Sequence, residues 1–196
     1  MPELPEIEVL KRSLEPRLAG RRVLEVRVHS PALREPLDRS SLESLAGRRI
    51  ERLGRRSKYL LVEVERGATL VIHLGMSGRL TLSPAAAERE AHEHLSLRLD
   101  DGERLRLRDP RRFGIAFVAP TRGLEQERHF RHLGAEPLAP AVTGPQLSEL
   151  ARGRRGPVKS FLMDGRLLVG VGNIYATEAL YRAGIQLGAN FLQHGG

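Results

Sequence analysis

Between positions 58 and 119, apolar and charged residues alternate, and short glycine-bearing turns break the pattern at intervals. The pattern is strand-like, and the stretch reads as a series of β-hairpins. Residues 59–64 and 68–74 flank Glu65-Arg66-Gly67, which reads as a hairpin turn. Leu95, Leu97 and Leu99 alternate up to the turn Asp101-Gly102, and Leu105 and Leu107 alternate after it. Ile115, Phe117 and Ala119 continue the series, and 84–93 is a polar, Ala- and Glu-rich connection between hairpins. Upstream, Leu24, Val26 and Val28 read as a half-buried strand. A helix leads the chain, with Leu4, Ile7, Leu10, Leu14 and Leu18 on one face. Pro5 suits its first turn and Gly20 its C′ position, and Pro16 is expected to end or bend it early.

Past position 134 the period changes. Residues 134–145 carry Pro137, Pro140 and Pro145 and read as a linker. Leu147 and Leu150 mark one short helix, Val158, Phe161 and Leu162 a second, and Ile174, Thr177, Leu180 and Tyr181 the apolar face of a third. Residues 164–172 are a Gly-punctuated connection, and 188–196 are expected to fray.

The chain has 196 residues, a length that suits one large domain or two small ones. Apolar residues make up 40% and charged residues 29%, which excludes a largely disordered chain. No apolar run approaches the roughly 20 residues of a membrane span. The opening Met1-Pro2-Glu3-Leu4-Pro5-Glu6 has neither the basic nor the apolar region of a signal peptide. With no cysteine, disulfides and thiolate zinc sites are excluded, and the cytoplasm is the expected compartment. Lys plus Arg is 32 against 24 for Asp plus Glu, a formal net charge of +8. That balance points to a polyanion, nucleic acid ahead of a membrane surface.

Five segments carry chemistry. If Met1 is removed, Pro2 becomes a secondary amine able to attack a sugar C1′, with Glu3 beside it to move protons and Glu6 on the same helix face. Pro and Glu are also ordinary first-turn residues. The glycines before Asn173 and Ile174 open a helix whose N–H groups suit a phosphate, with Asn173 expected at the N-cap; a plain capped helix reads the same way. Met76, between small residues in His73-Leu74-Gly75-Met76-Ser77-Gly78, suits a wedge into a base stack, or a core site. In Asp109-Pro110-Arg111-Arg112-Phe113-Gly114, two arginines beside an aromatic suit phosphate and base together, or a solvated turn. Arg55-Arg56-Ser57-Lys58, and Lys159 with Arg152, Arg154 and Arg155, read as basic clusters or solvated faces.

Taken in order, these segments together with Lys159-Ser160-Phe161-Leu162-Met163-Asp164 resemble the formamidopyrimidine-DNA glycosylase family, relatives of endonuclease VIII, from Pro2 to about Ile185. The resemblance implies an α+β fold: an N-terminal β-sandwich flanked by helices over 1–134, then a partial helix–two-turns–helix domain over 135–196. It implies excision of an oxidised purine, 8-oxoguanine or formamidopyrimidine, followed by β,δ-elimination at the abasic site. Pro2 would be the Schiff-base nucleophile, Glu3 the general acid/base, Glu6 its support and Lys58 the lysine that contacts phosphate beside the lesion. His73, Asn173 and Tyr175 would lie on the DNA-binding surface, Arg112 on the backbone and Lys159 near the damaged base. Met76, Arg111 and Phe113 would fill the gap left by the flipped nucleotide. The partner is then double-stranded DNA with an oxidised base or abasic site, with no membrane, and the chain a nucleoid-associated monomer.

The family normally continues into further helices and a four-cysteine zinc finger, so the resemblance implies a structural zinc whose cysteines this chain does not have. Gln186-Leu187 stands where a His-Pro or Asn-Pro pair is usual, and Ser57 stands for a usual Gly. A catalytically impaired relic that binds damaged DNA is the alternative reading. A plain nucleic-acid-binding module is a third, with no use for Pro2 beside Glu3.

Overall fold

The computed structural model describes residues 2–140 and 142–191. The chain forms two compact units that divide between Leu124 and Glu125.

In the first unit, α1 (Leu4–Leu18) buries Leu4, Ile7, Leu14 and Leu18 along the stripe that the sequence marks out. Pro16 does not end it early. The proline lies in the last turn, where only its own missing N–H is lost, and the Ala19 N–H still donates to the Glu15 carbonyl at 2.9 Å. Gly20 follows in the left-handed region at φ 83°. Then come β1 (Val23–Val28), a short α2 (Arg39–Glu43), β2 (Ile50–Arg56), β3 (Tyr59–Val64), β4 (Ala68–His73), β5 (Arg79–Pro84), β6 (Glu93–Leu99), β7 (Glu103–Arg108) and β8 (Ile115–Pro120). They make two antiparallel sheets, ordered β1-β6-β7-β5 and β2-β3-β4-β8. The fold is of the expected α+β class. Ile7, Leu14 and Leu18 of α1, Leu42 of α2 and inward residues of both sheets, among them Leu53, Ile72, Leu97 and Leu107, share one apolar core.

β1 departs from simple alternation. Leu24 is exposed, and Val23 is buried instead because the register slips between Val23 and Glu25. A bulge puts two successive residues against one partner and turns the side-chain order over. Neither α2 nor β2 stands out in the sequence pattern.

Arg56 pairs with Tyr59, so Ser57 and Lys58 form a two-residue turn between β2 and β3. Ser57 sits at φ 55°, a conformation that glycine adopts without a Cβ clash. Ser57→Gly is expected to stabilise the unit by about 0.5–1 kcal/mol, read as a higher urea midpoint at unchanged slope.

The second unit carries α3 (Gly144–Ala151), α4 (Val158–Leu162) and α5 (Asn173–Arg182). α5 buries Ala176 and Leu180, while Ile174 and Tyr181 are exposed, so the expected apolar face is rotated. Ala176 and Leu180 take the inner positions. Residues 188–191 are docked rather than frayed: the Val158 N–H donates to the Ala189 carbonyl at 3.0 Å. The Phe191 ring meets Phe161 edge-on at 5.3 Å. Positions 192–196 of the same expectation lie outside the described residues. No helix among the described residues is long and apolar enough to cross a membrane.

Candidate active site

Glu3 is the N-cap of α1 and is buried, 2% exposed. Its N–H donates to Glu6 Oε2 at 2.8 Å, so the Glu6 carboxylate folds back over the start of the helix. Pro2, immediately before Glu3, is half-buried. The Lys58 amine, on the β2–β3 turn, is half-buried too, and burial pulls its pKa below the usual lysine value. The Glu3 and Glu6 carboxylates oppose that pull. Lys58 thus lies within the electrostatic reach of both acids that start α1. The structure brings Lys58 near Glu3 and Glu6, the two acids at the start of α1.

A second group gathers where β4 and β8 meet. His73 closes β4 opposite Tyr59, their rings 4.8 Å apart, and its Nδ1 accepts the Gly75 N–H at 3.1 Å. Met76, 48% exposed, stands on the loop that follows, and Phe113, 41% exposed, on the loop before β8. The Arg111 guanidinium lies 4.8 Å over the Phe113 ring. Arg112 takes a left-handed φ of 56° next to it. A Cβ on Gly75 would fall 2.4 Å from the Phe113 carbonyl carbon, so only glycine lets the two loops touch.

Asp109 holds these loops together. It is fully buried, and its carboxylate accepts the Ser77 hydroxyl at 2.5 Å on one oxygen and the Gly114 N–H at 2.7 Å on the other. Ser77 Oγ in turn accepts the Arg111 N–H at 3.2 Å. Asp109 lies inside a motif the sequence singles out, yet its structural part there was missed. Its one sequence signal is an acid opening a turn before proline, which reads as a local cap. Arg55 and Glu8 were missed as well. Arg55 is not a solvated charge: its Nε donates to Glu8 Oε2 at 2.9 Å with only 8% of the side chain exposed.

In the second unit, Lys159 is half-buried on α4, Asn173 is exposed and Tyr175 half-buried. The N-cap of α5 is Gly172, not Asn173, which is the first helical residue. The helix therefore opens on glycine backbone. The first N–H groups of a helix lack intrahelical partners and suit an anion that approaches closely.

The zinc that the resemblance implies finds no fitting residues here. The chain has no cysteine, and no cluster of three or more His, Cys, Asp or Glu among the described residues can hold a metal ion.

Two family models match this chain in the order its two units follow. The formamidopyrimidine-DNA glycosylase N-terminal domain matches residues 1–116, and the H2TH domain of the same family matches 133–190, past the point near Ile185 where the motif resemblance fades. The fold and the paired domains are those of an H2TH DNA glycosylase. Formamidopyrimidine-DNA glycosylases of Gluconobacter oxydans and Xanthomonas campestris are each 48% identical to the chain. Each alignment covers 94% of this chain and 68% of the relative. The Lactococcus lactis Fpg protein bound to DNA containing N7-benzyl-Fapy-dG superposes with a TM-score of 0.89 at 30% identity, covering 98% of this chain and 71% of that one. The same protein bound to abasic-site DNA gives a TM-score of 0.87 at 29% identity, over 95% of this chain and 68% of that one. The chain belongs to the formamidopyrimidine-DNA glycosylase family.

Proposed function

We propose that this chain excises oxidised purines, 8-oxoguanine and formamidopyrimidine, from duplex DNA and cleaves the resulting abasic site. The observation that carries the reading is the cluster at the start of α1: buried Glu3, next in the chain to Pro2, the folded-back Glu6 and the half-buried Lys58 amine.

With Met1 removed, the Pro2 nitrogen is a secondary amine, and α-amino groups are partly unprotonated near neutral pH, which leaves a lone pair free to react. Its lone pair attacks C1′ of the lesion nucleotide, the bond from C1′ to the base breaks, and the base leaves with a proton. Glu3 is placed to pass protons between the leaving base, the sugar and Pro2. Opening of the sugar ring converts the adduct to an iminium, which acidifies the C2′ proton. Loss of that proton expels the 3′ phosphate, a second elimination expels the 5′ phosphate, and water releases Pro2. Lys58 supplies a cation for a phosphate beside the lesion; Glu3 and Glu6 favour its charged form against the pull of burial, and the lower local dielectric strengthens its attraction to the phosphate.

Flipping a base out of the duplex costs a few kcal/mol of stacking and pairing. Met76, Arg111 and Phe113 offset that cost by entering the gap, with Arg111 held against Phe113. His73 and Arg112 belong to the same DNA-facing surface. In the helical unit, Lys159, Asn173 and Tyr175 are assigned to DNA, and the glycine-capped start of α5 to a phosphate. The solved Lactococcus lactis complexes, with lesion or abasic DNA, support this partner.

The test is a labelled duplex with one 8-oxoguanine. Strand cleavage leaving phosphate on both sides of a one-nucleotide gap is expected; an intact strand with tight lesion binding contradicts the reading. A companion prediction concerns Lys58→Ala. It is expected to weaken DNA binding and flatten the slope of log K against log salt by about 0.9, the share of one phosphate contact. A binding titration across salt concentrations checks it, and an unchanged slope counts against the contact.

A further inference from the structure

Two ends of the proposed site come from segments far apart in sequence. The proposed proton-moving acid Glu3 and its support Glu6 start α1, and Lys58 sits on the β2–β3 turn. One guanidinium joins them. Arg55 Nε donates to Glu8 Oε2 at 2.9 Å, and Arg55 Nη1 donates to the Ser57 carbonyl, immediately before Lys58, at 2.9 Å. Glu8 is one helical turn past Pro5 on α1, and Arg12 Nε braces it at 2.8 Å while Lys11 Nζ lies at 3.8 Å. Both Arg55 and Glu8 are largely buried, with 8% and 15% of their side chains exposed. We infer that the Arg55–Glu8 pair is a positioning device: it sets the Lys58 turn against the start of α1, and so fixes Lys58 relative to Pro2, Glu3 and Glu6.

Two features single out this pair from ordinary surface ion pairs. The guanidinium uses two of its nitrogens at once, one on the helix and one on the turn, a geometry that a lysine cannot reproduce. The Ser57 peptide it grips is in the left-handed region, so the turn is held in a conformation its own residues do not favour. The charged groups that act on Lys58 are Glu3 and Glu6, and those around Glu8 are Arg55, Arg12 and Lys11. Arg55 and Glu8 need touch no substrate atom to act in this way.

The inference rests on the proposed amine chemistry, so the wild-type chain is the first arm of its test. Borohydride trapping on an abasic duplex is followed against pH for wild type, Arg55→Lys and Glu8→Gln, with thermal melting and DNA binding measured alongside. Trapping by the wild type upholds the chemistry; no wild-type adduct overturns both. Arg55→Lys keeps the charge but loses the fork, and is expected to trap on the order of 10- to 100-fold more slowly, as misplacement of a reacting group does. Its alkaline limb should also move to higher pH, because a released Lys58 is no longer held low by burial. Glu8→Gln, which keeps an acceptor oxygen, should fall between Arg55→Lys and wild type. Variants that melt lower yet trap at the wild-type rate with a superimposable pH profile overturn the positioning role and leave a purely structural pair.

Discussion

Asp109→Ala is expected to destabilise the first unit by about 3–5 kcal/mol, because two hydrogen bonds to a buried carboxylate are lost together. The half-buried Ser77 hydroxyl and the buried Gly114 N–H would lose their acceptor. The loss falls where function is proposed. Met76 and Phe113 stand on the two loops that this carboxylate ties, and the Arg111 backbone hangs from Ser77. Excision of a paired lesion, which needs the extruded base replaced in the stack, should therefore drop more than cleavage of a ready-made abasic site. Ser77→Ala removes one of the bonds and is expected to cost about 1–2 kcal/mol with the same bias between substrates. Urea unfolding and parallel assays on the two duplexes check both variants; equal losses on the two substrates would mean that Asp109 holds the fold and not the wedge.

The second large effect lies on the outer side of β6 and β7. Arg106 is 2% exposed, and its Nη1 donates to Glu93 Oε2 at 2.8 Å, with Glu93 fully enclosed and His29 Nε2 3.1 Å from its other oxygen. Arg106 also donates to Ser83 Oγ at 2.6 Å and to the Ala87 carbonyl at 2.7 Å, stapling the 84–93 connection to the sheet. Arg106→Ala leaves Glu93 buried without its main partner and is expected to cost about 3–5 kcal/mol. The pair also sets a pH dependence. Burial works to raise the Glu93 pKa, but the Arg106 hydrogen bond and charge outweigh it and hold the value below the usual glutamate range. A lowered folded pKa stabilises above the unfolded value and is lost as pH falls through the folded one. The wild type should thus lose stability on acidification through the glutamate range, and Arg106→Ala should lack that part of the acid limb. Urea midpoints between pH 3 and pH 7 measure it, and parallel curves for the two proteins would contradict the assignment.

These two residues show where sequence reading stops. The hairpins around Gly67 and Gly102 are legible because strand alternation and turn glycines are local signals. The stripe on α1 is legible for the same reason. Leu24 is misplaced because a bulge leaves no local mark, and Pro16 is tolerated because it lies in the last turn, with only two helical residues after it. β2 hides behind its arginines: with only Ile50 and Leu53 plainly apolar, it reads as a charged surface until Glu8 is seen to neutralise Arg55 from 47 residues away. Asp109 meets Ser77 across 32 residues, and no spacing within either motif announces that bond. The proposed site residues stand out in the sequence as motifs, since the chemistry proposed for them depends on residue type at short spacing. What locks them in place depends on long-range pairs.

Purified chain with Met1 removed should be mixed with an abasic-site duplex and borohydride, and the product digested and mapped by mass. A reduced adduct on the peptide that begins at Pro2 is the expected outcome, with Pro2→Gly giving a slower adduct at the same place. An adduct on a lysine peptide, or none from the wild-type chain, would show that the amine at the start of α1 does not form the covalent bond on which the proposed chemistry depends.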